Sequence, residues 1–285
     1  MRVDIATEPG DSQRPNEDWA SVALPATGHG GALVLLDGVT PPADGDGCVH
    51  GVAWFTARLG SALLELSVSR RDMALAQCLA EAIRRTAQAH VSTCDLSHVR
   101  TPQATVVVVR WNRDDVEHLV LSDSVLLLEG ADGKATAVAD DRLDRLPDEV
   151  QAKRAAVRSL PRGTPERAAA AAEYALAVEA LRNAEGGFFT AAADPGVAGR
   201  AVTGRSGRAQ VRTVAALTDG AARWSEVFRL GGWDDCVGLL HTEGAQRLIG
   251  RVRAAEAADP ACTAFPRGKV RDDAAVIFAD LTESG

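Results

Sequence analysis

Ala32-Leu33-Val34-Leu35-Leu36-Asp37-Gly38 is an unbroken apolar run that ends in a carboxylate followed by a glycine. An apolar stretch of that length without polar alternation reads as a strand covered on both faces. A carboxylate at the end of such a strand is rigidly aimed, and Gly38, with no Cβ, lets its backbone carbonyl come close to an ion. Strand-length runs recur at residues 19–24, 105–111, 118–121, 125–129, 211–217 and 274–279. Beside them stand Asp18, Asp123, Asp219 and the pair Asp272-Asp273. One such aspartate is ordinarily a turn or cap residue. Several brought together would repel one another unless cations bind, and an oxygen-only donor set favours Mg2+ or Mn2+ over Zn2+.

Between the runs 32–36 and 105–111, residues 49–66 and 72–91 place Leu75, Cys78, Leu79, Ala82 and Ile83 at helical spacing, which predicts a helix pair covering a sheet face. The closely spaced runs from 105 to 129 predict an antiparallel meander. From 139 to 210 the texture turns rich in Ala, Arg and Glu, and Thr164-Pro165-Glu166 opens a helix over about 165–183. The fold class is therefore α/β, a layered sandwich of two mainly antiparallel sheets flanked by helices. The expected organisation is one domain over residues 1–285 with a helical insertion at about 143–204.

With 31 basic against 39 acidic residues, a net charge of −8 gives no broad attraction to nucleic acid or anionic membrane. Met1-Arg2-Val3-Asp4-Ile5 has no apolar h-region and no run approaches a membrane span, so the expected location is the cytoplasm. Cys48, Cys78, Cys94, Cys236 and Cys262 are scattered and odd in number, which reads as reduced thiols; Cys94 and His98 are spaced as a metal pair, but no second pair completes a zinc set. Trp54, Trp111, Trp224 and Trp233 read as core, and the run 247–253 as a solvated helix face.

The order Arg-x-Asn-Glu-Asp (Arg14 to Asp18), strand-Asp-Gly (Asp37, Gly38), Ala-Thr-Val-Val (Ala104 to Val107), Ser-Asp-Ser (Ser122 to Ser124), Thr-Asp-Gly (Thr218 to Gly220) and Asp-Asp before a last strand (Asp272, Asp273) resembles the protein phosphatase 2C-like family, bacterial members included. The resemblance implies two packed antiparallel sheets with flanking helices and hydrolysis of phosphoserine and phosphothreonine by water activated between two Mg2+ or Mn2+ ions. It implies metal roles for Asp18, Asp37, the Gly38 carbonyl, Asp219 and Asp272, a contribution of Glu17 through water, and a third, weaker ion at Asp123. Asp273 becomes the supporting neighbour of Asp272, and Arg14 the phosphate clamp, since guanidinium geometry suits a bidentate phosphate contact. The implied partner is a phosphorylated protein or a small phosphoester; the alternatives are a weakly active or non-hydrolysing binding relative and a phosphatase of a small metabolite.

The pattern departs from that family in places. Val39-Thr40-Pro41-Pro42 stands where a second glycine pair and a general-acid histidine are usual, and His50 reads as a structural histidine at a helix start. Ser122 replaces the glycine before Asp123, and Arg14 is one residue closer to its aspartate. A haloacid dehalogenase-like nucleophile strand is excluded because Val39 occupies the position of its second aspartate, and no Gly-x-Ser-x-Gly elbow is present.

Overall fold

The computed structural model describes residues 1–26, 29–42 and 45–282. Ten strands form two five-stranded sheets in which every neighbouring pair is antiparallel. The first sheet has β1 (Arg2–Glu8), β10 (Ala274–Asp280), β9 (Val211–Leu217), β6 (Val125–Gly130) and β7 (Ala135–Val138) in that order. The second has β2 (Trp19–Ala23), β3 (Gly31–Gly38), β4 (Ala104–Trp111), β5 (Asp115–Leu121) and β8 (Val202–Gly207).

The pleat divides each central strand between two cores. From β3, Leu33 and Leu35 face inward to Val107, Val109, Val120, Val214 and Ile277 between the sheets. Val34 and Leu36 face outward to Phe55, Leu59, Leu63 and Leu79 on α1 (Val52–Ser69) and α2 (Leu75–His90). The other sheet does the same: Leu127, Leu217 and Phe278 pack outward on α5 (Asp219–Glu226), α6 (Trp233–Thr242) and α7 (Ala245–Ala258). Burial on both faces explains why these strands read as continuous apolar runs without alternation.

Two expectations change. The runs from 105 to 129 are not one meander: β4 pairs with β5, but β6 leaves for the other sheet and pairs with β9. The switch occurs at Ser122-Asp123-Ser124, where Ser122 takes a left-handed φ of 69° and its N–H is held by Asp140 Oδ2 at 3.0 Å. Second, the 247–253 face is not wholly solvated. Arg253 turns inward, where it donates to Glu256 at 2.8 Å and to Glu8 at 3.1 Å.

Within 143–204, α3 (Asp148–Ser159) and α4 (Pro165–Glu179) pack together over a small cluster of Leu146, Val150 and Phe188, with Thr164 Oγ1 capping α4 by accepting from Arg167 N. The end of the stretch belongs to the sandwich: Ala191 exchanges backbone hydrogen bonds with Ala104, and residues 202–204 open β8. Among the described residues no helix is long and apolar enough to cross a membrane.

Candidate metal centre

The ends of five strands meet at one end of the sandwich, and each brings an acid. Asp18 precedes β2 and Asp37 lies near the end of β3, both in one sheet. Asp219 follows β9 and Asp272 precedes β10, both in the other. Asp123 sits where the chain crosses between them. Hydrogen bonds join the two sheets here. Thr218 Oγ1 donates to Asp18 Oδ2 at 2.8 Å and accepts from Ala275 N at 2.8 Å, while Asp219 N donates to Asp37 Oδ2 at 3.3 Å. Thr218 stands at the N-cap of α5, yet its hydroxyl makes no cap bond and is directed to the acid instead.

Gly38 is required sterically, because a Cβ there would meet Val52 Cγ1 at 2.5 Å and Glu17 O at 2.6 Å. Gly220 is equally constrained, with Asp273 O 1.9 Å from where its Cβ would lie. Asp273 fastens the opposite wall: its carboxylate accepts from Gly10 N at 2.8 Å and Glu17 N at 2.6 Å.

The electrostatics are those of a crowded acidic cavity. Burial, then the neighbouring aspartates, pushes Asp37 well above the usual carboxylate range. Burial does the same to Asp18, opposed by the Thr218 hydrogen bond and reinforced by Asp219, Asp273 and Asp272. Asp219 is pushed up to about 6 by burial and by Asp272 and Asp123. Asp123 is raised by burial, with Arg182 nearby opposing the rise. Glu17 is raised by burial while the Thr40 hydroxyl, donating at 2.5 Å, draws it back.

Two of the cations at the site bind Asp272 directly. Arg223 donates to its Oδ2 at 2.8 Å and Lys269 to its Oδ1 at 2.7 Å. Lys269 also reaches Thr40 Oγ1 at 3.1 Å, so its side chain forms a shared wall between two clefts. One, of about 370 Å3, holds Asp37, Gly38, Asp123, Asp219 and Arg182. The other, of about 310 Å3, holds Arg14, Glu17 and Asp273. Thus the structure brings Asp37, Gly38, Asp123, Asp219 and Asp272 together around one cleft, places the buried Asp18 behind them on the Thr218 hydroxyl, and sets Glu17 and the exposed Arg14 beside them across Lys269. Among the described residues, the aspartates do not close on one point. The one set of three or more His, Cys, Asp or Glu side chains whose donor atoms all lie within 4.8 Å of one another is elsewhere, at Cys48, His50, His90 and Cys94. Carboxylates spaced around a shared cavity, with oxygen as their only donor, fit hard divalent ions of the Mg2+ or Mn2+ kind.

Sequence reasoning missed Thr40, Arg182, Arg223 and Lys269. None lies in an acidic motif; only Arg223, four residues after Asp219 on α5, had a spacing that a helix would turn toward the same site.

No protein-family model matches the sequence, and no curated protein matches it. Solved structures match along its whole length. The serine/threonine phosphatase Stp1 of Staphylococcus aureus superposes with a TM-score of 0.61 at 12% identity, over 99% of this chain and 96% of that one. The Mycobacterium tuberculosis serine/threonine phosphatase PstP gives 0.54 at 15% identity, over 99% of each chain. The catalytic domain of PstP in complex with two manganese ions gives 0.53 at 16% identity, over 98% of this chain and 97% of that one. From end to end, this chain has the protein phosphatase 2C-like fold of these bacterial proteins.

Proposed function

We propose that this chain is a divalent-metal-dependent phosphatase that hydrolyses phosphoserine and phosphothreonine esters. The observation that carries the reading is the meeting of Asp18, Asp37, Asp219 and Asp272, two from each sheet, at one end of a phosphatase 2C-like sandwich. Asp18, Asp37, the Gly38 carbonyl, Asp219 and Asp272 would hold two Mg2+ or Mn2+ ions, with Glu17 assisting through water and Asp123 serving a third. Such ions, when bound, stabilise the charge of the reacting phosphoryl group and make water a stronger nucleophile. A solved neighbour that holds two manganese ions supports this choice.

The chain's own residues divide the remaining work. Asp37, whose Oδ2 already accepts from Asp219 N, orders the two sheets around the cavity. Arg14, exposed on the rim of the adjoining cleft, clamps the phosphate with its guanidinium. Tyr174 on α4 and Arg182 just beyond its C-terminus line the acidic cleft, so the α3–α4 insertion of a single phosphatase domain shapes what enters. Lys269 must release Asp272 Oδ1 before that oxygen can serve an ion.

That last point favours a second reading, a relative that binds phosphoprotein without turnover, because both oxygens of Asp272 are engaged by cations. One assay separates the two. Chelator-stripped protein is given Mn2+ or Mg2+ with p-nitrophenyl phosphate and a phosphothreonine peptide, beside Asp37→Ala and Asp219→Ala. Turnover restored by metal in the parent alone supports the phosphatase; Mn2+ binding by calorimetry without turnover supports the binding relative; absence of metal binding overturns the assignment of these aspartates as a metal site.

A further inference from the structure

A second cluster of donor groups lies outside the acidic cavity, in residues of a different chemistry. The connection from β3 to α1 passes through Cys48 and His50 just before the helix, and α2 ends at His90 with Cys94 in the turn beyond. A backbone hydrogen bond from Asp95 N to Gly47 O at 2.9 Å ties the two segments, and one from Cys94 N to His90 O at 3.0 Å fixes the turn after α2. Gly47 is needed for the approach. Its φ is 74°, and a Cβ there would meet His98 Cβ at 2.8 Å. His98 itself is turned away, its Nδ1 accepting from Arg100 N, so the Cys94–His98 pair suggested by spacing does not form.

What forms instead is a four-cornered set. Cys48 Sγ lies 3.7 Å from His50 Nδ1 and 3.6 Å from His90 Nδ1. Cys94 Sγ lies 3.3 Å from His50 Nδ1 and 3.2 Å from Cys48 Sγ. A tetrahedral zinc ion with bonds of about 2.3 Å to sulfur and about 2.0 Å to nitrogen spaces its ligand atoms about 3.3 to 3.8 Å apart. These three sulfur–nitrogen pairs fall in that range, the sulfur pair falls just short of it, and all four donor atoms lie within 4.8 Å of one another. Both imidazoles are oriented by the same indole: the His50 ring stacks on Trp54 with centroids 4.3 Å apart, and His90 lies 5.1 Å from it on a tilted plane. His90 is buried at 2% exposure. A buried imidazole whose Nδ1 meets a thiol, beside a second imidazole and a second thiol, is a ligand arrangement that a disulfide would leave half unused. The sulfur separation is also well beyond the roughly 2.05 Å of a disulfide bond.

We propose that Cys48, His50, His90 and Cys94 form a closed four-ligand site for a structural zinc ion, distinct from the oxygen-lined acidic cavity. Sulfur and nitrogen donors select zinc where the carboxylates select Mg2+ or Mn2+, so the two sites sort their metals by softness. With four protein ligands no position is open for chemistry. The ion pins the β3–α1 connection, which carries Thr40 beside Glu17 and Lys269, to the end of α2.

The test uses untagged full-length protein purified without chelator. Elemental analysis is expected to find about one zinc per chain, and cobalt exchanged into the site should give the thiolate charge-transfer and visible bands of a tetrahedral ion. A Cys48→Ser/Cys94→Ser variant should lose at least nine-tenths of the zinc and the cobalt bands, while Asp37→Ala keeps both. The proposal falls if the folded parent, supplied with zinc, holds less than a tenth of an ion per chain. It falls equally if the variant binds zinc like the parent, or if peptide mapping finds Cys48 and Cys94 joined as a disulfide. Should the double variant not fold, the parent's cobalt spectrum decides alone: bands without thiolate character overturn the assignment.

Discussion

Thr218 Oγ1 sits 2.8 Å from Asp18 Oδ2, a hydrogen bond thrown from the end of one sheet to the start of a strand in the other. The same oxygen accepts from Ala275 N, so replacing Thr218 by the isosteric valine leaves a buried N–H and a buried carboxylate without partners. Thr218→Val is expected to cost about 1–3 kcal/mol in urea unfolding and to weaken Mn2+ binding by calorimetry. A neutral substitution would mean that this bond does not set the position of Asp18.

On the proposed metal reading, Lys269 is an internal competitor for the ion, because it donates to Asp272 Oδ1. Partial burial draws its ammonium down, but Asp272 and the other aspartates raise it further, so it remains charged beside Asp272. Lys269→Ala should tighten Mn2+ binding about fivefold, matching the roughly 1 kcal/mol of a good half-exposed ion pair. Weaker binding in the variant would instead make Lys269 an organiser of Asp272.

Behind the site, Arg223 and Arg253 both donate at 2.8 Å or less to Glu256, which is fully buried. Glu256→Ala removes one carboxylate partner from each guanidinium, leaving Arg223 with Asp272 and Arg253 with Glu8, and is expected to destabilise the fold by about 1–3 kcal/mol, measured by chemical denaturation. A loss below about 1 kcal/mol would show that Asp272 and Glu8 alone suffice to hold the two guanidinium groups.

Asp259 contributes to the acid limb of stability. Burial draws its carboxyl up, but donors from Phe265, Thr263, Arg267 and Ala264 outweigh this and hold it well below the usual carboxylate range. A depressed folded-state pKa stabilises above the unfolded value of about 3.9 and is lost as pH falls from there. Thermal unfolding from pH 6 to 2.5 should therefore fall less steeply for Asp259→Asn than for the parent, although the variant starts lower.

The interior strands were legible because burial on both faces writes them as apolar runs, as in 32–36 and 274–279. The missed strands are three of the four sheet edges. In β1 only Ala6 is buried, β7 is four residues long, and β8 carries Gly204 and Gly207. Edge strands lack the second packed face that produces the signal. The aspartates were readable from their place at strand ends. Lys269 and Arg223 were not, since nothing in a basic residue's local sequence says which carboxylate it will face. The Cys/His cluster escaped for a related reason: its halves, 48–50 and 90–94, are joined only by the folding of a helical hairpin. Ser122 shows a position whose backbone demand outlived the glycine that usually meets it.

The crossing of the chain between sheets has a consequence for synthesis. Asp18 and Asp37 arrive in the first sheet-forming segment, Asp219 and Asp272 only with β9 and β10, and β10 must still slide between β1 and β9. A nascent chain therefore meets no concentrated negative charge until its last strand docks. On the proposed reading, ions would bind only after that step, as a late rivet between the two sheets, and a polypeptide stalled before residue 272 would lack one of the four carboxylates proposed to hold them.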